Sequence, residues 1–167
     1  MNIIIESSLK TLQKADLLLN KLSDDDLCNA SVSPYYSSIG SHVRHILDFY
    51  DCIFNKNEDN IIDLTARCRN LDVETQCNSA SNYLNITMEK LKSLDFNADT
   101  KIVVIDDLGL GKAEIAYTFG ALLSQANSHT IHHYAIISYI LDRLEIQFED
   151  GDFGYNPTTP KTVSNKC

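Results

Sequence analysis

The sequence predicts an all-α protein, an antiparallel four-helix bundle with a short β-hairpin before the last helix. Three observations carry this expectation. Four segments, each about fifteen to twenty-five residues long, repeat apolar side chains in steps of three and four. Only one stretch pairs two β-prone runs across a turn, and no internal repeat or shift of composition marks a second domain. The 167 residues therefore divide into a bundle over 1–148 and an irregular tail over 149–167.

The first helix carries Ile5, Leu9, Leu12, Ala15, Leu19 and Leu22 on one face. Ser23-Asp-Asp-Asp and the polar stretch up to Pro34 break that pattern, and a second begins at Ser38, a residue suited to cap a helix N-terminus. It continues through Ile39, Val43, Ile46, Tyr50 and Ile53 and ends at Asn55-Lys56-Asn57. Residues 56–70 read as a long connection. The third pattern, Val73, Cys77, Ala80, Leu84, Thr87, Leu91 and Leu94, has neither Gly nor Pro within it. Lys101–Asp106 and Ala113–Tyr117 flank a glycine-containing turn and predict the hairpin. The turn's Gly-Leu-Gly-Lys lacks the GxxxxGK[ST] spacing of a phosphate loop. The fourth helix spans about 118–144 through Phe119, Leu122, Ala126, His129, His133, Ile136, Ile140 and Leu144.

Composition narrows the function. With 14 Lys+Arg against 23 Asp+Glu the formal charge is −9, and no basic run offers a surface for phosphates, so nucleic acid is not an expected partner. No apolar run has the length of a membrane span, and the N-terminal Ile-Ile-Ile is too short for a signal segment, so the expected address is cytoplasmic. Five scattered cysteines (Cys28, Cys52, Cys68, Cys77, Cys167) without a CxxC pair suggest reduced thiols rather than a disulfide frame or zinc knuckle. The Asn29 and Asn85 sequons then read as chance matches.

All five histidines fall in two places, His42 and His45 on the second helix and His129, His132 and His133 on the fourth. His129 and His133 lie one turn apart in slots of the fourth helix's apolar pattern, which predicts that both face inward. A buried imidazole without partners costs about 1–3 kcal/mol, and two on one face are hard to satisfy by packing alone. An i, i+4 pair presents two nitrogens to one divalent metal, with a third ligand from a facing helix. Thr130 follows His129, so the HExxH metalloprotease pattern is absent. On the second helix His42 lies about 40° and His45 about 100° from the stripe centred on Ile46, and periodicity leaves both as candidates. His132 stands about 100° around the helix from His133 and need not join the cluster.

Ser38-Ile-Gly-Ser-His-Val-Arg-His-Ile-Leu-Asp48 together with Ser128-His-Thr-Ile-His-His133 resembles the DinB/YfiT-like family of metal-dependent four-helix-bundle proteins. The resemblance runs from the first helix to about residue 145, and Phe153–Pro160 looks like the ending of one subgroup. It implies a divalent metal held by His45, His129 and His133, with His42 as a neighbour on the substrate side. Related sequences often carry one more histidine where this chain has Phe49 and Tyr50. Family members include transferases acting with low-molecular-weight thiols, and they often pair as homodimers.

Three neutral imidazoles leave one position of a tetrahedral ion open, the layout of a catalytic site. An open position can lower the pKa of bound water towards ~7 or hold a thiol as thiolate. The expected cofactor is one divalent metal, Zn or Ni, with a low-molecular-weight thiol as cosubstrate and a small molecule as substrate. A metal-dependent hydrolase and a non-catalytic metal-binding bundle are the alternatives. Arg44, Arg67 and Arg69 are candidate anchors for an anionic substrate, and Asp48, one turn from His45, is a candidate partner for its ring.

Overall fold

The computed structural model describes residues 2–95 and 97–160. Six helices and three strands follow one another along them: α1 (Ile3–Leu19), α2 (Asp24–Cys28), α3 (Ile39–Phe54), β1 (Ile61–Asp63), α4 (Asp72–Thr75), α5 (Cys77–Lys92), β2 (Lys101–Asp107), β3 (Lys112–Thr118) and α6 (Phe119–Arg143). The expectation of an all-α four-helix bundle is corrected, because a three-stranded mixed sheet is built into the fold. Helices α1 and α3 each pack against both α5 and α6, and the sheet is tied to α3 and α6 through β1 and β3.

Sequence reading missed the short helix α2, in the stretch it took for a polar break, and the strand β1. Ile61, Ile62 and Asp63 pair in parallel with Val103, Val104 and Ile105 of β2, and β2 pairs antiparallel with β3 from Lys101–Thr118 to Asp107–Lys112. Three residues are too few for a period-2 signal, and only a partner strand about forty residues away supplies their hydrogen bonds. Alternate residues Ile62, Leu64, Ile102 and Val104 point into the core. Strand β3 has no fully buried residue and forms the outer edge.

Helix starts follow local chemistry. Asn2 accepts from the Ile4 N–H, Ser23 and Asp26 form a capping box, Ser38 accepts from the Ser41 N–H, and Thr118 ends β3 while capping α6 through the Ala121 N–H. The third apolar pattern is not one helix. Gln76 takes an extended conformation (φ −132°, ψ 116°) between α4 and α5, and the Asp24 carboxylate accepts from the Cys77 N–H at 2.7 Å.

On the fourth helix Phe119, Leu122, Ala126 and Ile140 are buried as expected, but between them the buried stripe is offset by one residue. Thr130, Tyr134 and Ile137 are buried, while His129, His133 and Ile136 lie half-buried beside them. Thr130 and Tyr134 can enter the core because their hydroxyls donate to the carbonyls of Ala126 (2.8 Å) and Thr11 (3.1 Å). A pattern drawn from apolar residues alone passes over them.

Residues 149–160 fold back on the helices. Phe153 is buried and stacks on Tyr134 with ring centroids 4.4 Å apart, and Asp150 pairs with Lys14. Gly154 makes this possible, with φ +77° and a missing Cβ that would stand 2.8 Å from Ala135 Cα. The rest of the tail, residues 161–167 with Cys167, lies outside the described residues.

A second close approach sits at the start of α3, where a Cβ on Gly40 would meet the carbonyl oxygen of Glu74 at 2.0 Å. Backbone of α4 lies directly on this glycine, so Gly40→Ala must push α4 off α3. Urea denaturation should show the variant destabilised by about 3 kcal/mol, the upper range for overpacking a tight contact.

Candidate metal centre

Two helices supply the histidines. Helix α3 buries Ile39, Val43, Ile46, Leu47 and Tyr50, which leaves His42 and His45 on a half-buried flank. Helix α6 packs against α3 with His129 and His133 on the facing flank. Rings from both helices meet edge-on in one cluster, His45 lying 4.9 Å from His129 and 4.6 Å from His133 between centroids. Phe49 closes one side, its ring centroid 5.1 Å from that of His129.

Three ring nitrogens converge. His129 Nε2 lies 2.8 Å from His45 Nε2 and 3.1 Å from His133 Nε2, and each of the three residues offers a ligand atom within 4.8 Å of the others. Ligands 2.0–2.1 Å from a tetrahedral ion stand about 3.3 Å apart, and the His45–His129 and His129–His133 nitrogens lie within about half an ångström of that spacing. The donor set fits a divalent metal: three imidazoles, two of them held one turn apart on α6. It could hold an ion; nothing in it selects which.

Burial keeps these rings neutral, which is the form a metal requires. His45 is pushed down to about 4 by burial and then by the neighbouring Arg67 guanidinium. His133 is driven further down, first by burial and then by His129, His45 and His42. His129 and His42 are lowered too, burial being the first cause in each and His132 the next.

His42 stands behind the cluster. Its Nδ1 lies 2.8 Å from His133 Nδ1, and its Nε2 lies 2.8 Å from Ser37 Oγ, so it contacts the outer nitrogen of His133 rather than the convergence point. Among the described residues the ligand cluster contains His45 and not His42. His132 is exposed, its ring 5.4 Å from that of His133.

The arginines separate. Arg67 reaches the centre, Nη1 donating to His45 Nδ1 at 3.0 Å and Nε to the Leu64 carbonyl at 3.0 Å. Arg44 pairs instead with Asp48 (2.7 Å) and Glu74. Arg69 is exposed, and its backbone N–H donates to Asp48 at 3.3 Å. Asp48 is fully buried and its oxygens take the Arg44 guanidinium, the Arg69 amide and the Tyr83 hydroxyl, so the hydrogen bonds it makes hold α3, α5 and the 64–71 loop together rather than a ligand ring. Burial, then the charges of Asp51 and Asp48, raises the pKa of the Tyr83 hydroxyl.

Sequence reading passed over Ser37, Phe49 as a ring neighbour, and the Glu74 and Tyr83 partners of the Arg44–Asp48 pair. No local signal marks them, since each acts through a contact made only by folding. A cavity of about 400 Å³ lined by Lys10, Asn127, Tyr134 and Pro157 lies on the far face of α6 from the triad. Asn127 is about 200° around the helix from His129, so that space does not serve the histidines.

Comparison with protein-family models, with curated proteins and with solved structures finds no match. No described helix is long and apolar enough to cross a membrane.

The lowered histidines make the metal-free protein sensitive to acid. The unfolded chain takes up protons near pH 6.5 while the folded chain resists them, so the stabilisation is fully present above 6.5 and is lost as pH falls towards 4. Melting temperature measured in chelator should therefore drop steadily between those values, and the drop should shrink in His133→Gln.

Proposed function

We propose that this chain is a divalent-metal-binding protein whose His45, His129 and His133 hold one ion with a coordination position left for substrate. The observation that carries the reading is the convergence of three neutral imidazole nitrogens from two packed helices, with no carboxylate among them. A fully protein-ligated structural site would close the fourth position, most often with Cys or a further His. An ion held here would lower the pKa of a bound thiol or water and so supply a nucleophile at neutral pH.

The finer reading is a transferase that activates a low-molecular-weight thiol. It is supported by the resemblance of Ser38–Asp48 and Ser128–His133 to DinB/YfiT-like proteins. In this reading His45, His129 and His133 bind the ion, and His42 fixes the ring of His133 from behind. Phe49 excludes water from one side. Half-burial of the triad leaves the substrate a route from solvent.

Elemental analysis of untagged protein should find about one divalent ion per chain, with His129→Ala or His133→Ala losing most of it. His45→Ala should lose metal likewise, whereas His42→Ala should only weaken binding, by about tenfold to a hundredfold as for other ring-orienting partners. The metal-loaded protein should then conjugate thiols to electrophiles in a panel assay and leave simple esters and amides intact; the opposite preference would make it a hydrolase. An unloaded wild type that takes up neither Zn²⁺ nor Ni²⁺ would end the metal reading.

The same resemblance supports pairing of two chains, and Ile3, Leu17 and Tyr139 leave apolar surface on the outer faces of α1 and α6. Light scattering at high micromolar concentration should report a dimer, and a monomer there would remove the pairing.

A further inference from the structure

Arg67 creates a conflict with metal binding that the hydrogen bonds make explicit. A guanidinium only donates, so His45 Nδ1 must accept from Arg67 Nη1, and a neutral ring then carries its proton on Nε2. That proton is directed at His129 Nε2, 2.8 Å away. His129 Nε2 therefore accepts, and its single lone pair is taken by that proton. His133 Nε2, 3.1 Å away, is open to either arrangement of its proton, because His42 Nδ1 on its outer nitrogen and the Ser37 hydroxyl behind His42 can each donate or accept. The proton arrangement is fixed through Arg67, His45 and His129, and in it the converging nitrogen of His45 is protonated.

The two sides of this network respond differently to a metal. On the His133 side every member can reverse: His42 can carry its proton on either nitrogen, and the Ser37 hydroxyl can accept as well as donate. His133 can thus place its proton on Nδ1, free Nε2 and donate to His42, the arrangement usual for a ligating histidine. On the His45 side reversal is blocked. A proton on His45 Nδ1 would face a guanidinium that has no acceptor.

Charge adds a second argument. Arg44 has two carboxylate partners, but among the described residues Arg67 has none. Asp106 is the acidic group whose charge reaches His129, and its Oδ1 is taken up by the Asp107 N–H. A divalent ion on three neutral ligands beside an unpaired guanidinium would gather +3 in a half-buried site, a balance that only an incoming anion restores.

We propose that Arg67 is an oxyanion anchor beside the metal: loading of the triad displaces its guanidinium from His45 Nδ1, and the freed fork receives a carboxylate or phosphate group of the substrate. This rests on the metal reading given above. Planar, paired donors of a guanidinium match either oxyanion. The residue is held where it can do this from its own loop, since Nε remains bonded to the Leu64 carbonyl while Nη1 is exchanged.

The test is calorimetric titration of Zn²⁺ into chelator-stripped wild type and Arg67→Ala, with circular dichroism to confirm the fold. Removing the competing donor should tighten Zn²⁺ binding by about tenfold in anion-free buffer, of the order expected for one charge-assisted hydrogen bond. Cobalt-loaded wild type should then change its visible absorption on addition of acetate or of inorganic phosphate, and Arg67→Ala should not; the arm that responds identifies the oxyanion. Arg67→Met, which keeps an apolar stem against the loop, gives the same readouts should the alanine variant fail to fold. Wild type that binds metal while both variants bind it no more tightly, or respond to anions as wild type does, overturns this proposal alone. Wild type that binds no metal overturns the metal reading, and this one with it.

Discussion

Packing of α3 against α6 is the constraint on which the rest of the molecule depends. Both helices bury one stripe, Val43, Ile46 and Tyr50 on α3 and Ala126, Thr130 and Tyr134 on α6, and the burial of these stripes fixes the rotation of each helix about its axis. His45, His129 and His133 lie on the flanks of those stripes, so the rotation that fills the core also brings their ring nitrogens together. A site built on the edge of a packed interface gains two things at once. The rings are desolvated enough to stay neutral, yet they remain open to solvent.

The sheet matters because it governs what stands next to that site. Parallel pairing of β1 with β2 is followed by a hydrogen bond from the Leu64 N–H to the Ile105 carbonyl at 2.9 Å, which anchors the start of the 64–71 loop. Arg67 then bonds the Leu64 carbonyl and reaches His45. A connection without β1 would have no such fixed point, and an arginine on it would be one more mobile surface charge. The departure from an all-α fold is thus also what brings a guanidinium to the histidines.

A second buried polar cluster supports the same region from behind. Asp48 gathers Arg44, the Arg69 amide and the Tyr83 hydroxyl, and Arg44 extends the cluster to Glu74 on α4. An unpaired carboxylate at that depth would cost several kcal/mol, so these partners are required once Asp48 is buried. They join α3, α4, α5 and the loop that carries Arg67. The tight contact of Gly40 with the Glu74 carbonyl belongs to the same junction.

By itself the sequence determined the long helices α1, α3 and α6 and most of α5, though not the short α2, because caps such as Ser38 and the three-and-four spacing of apolar residues act within a few residues of chain. It also marked the histidines, since an i, i+4 pair on a helix places two rings on one face whatever surrounds it. It did not determine β1, whose hydrogen bonds come from a strand distant in the chain, nor the break at Gln76, which depends on Asp24 reaching the Cys77 amide. Nor did it determine the depth of His129 and His133, because Thr130 and Tyr134 take the core positions only by bonding to carbonyls that the fold supplies. The choice between His42 and His45 is of the same kind. Both lie on one helix within a turn, and only the position of α6 decides which ring meets the other two and which stands behind His133.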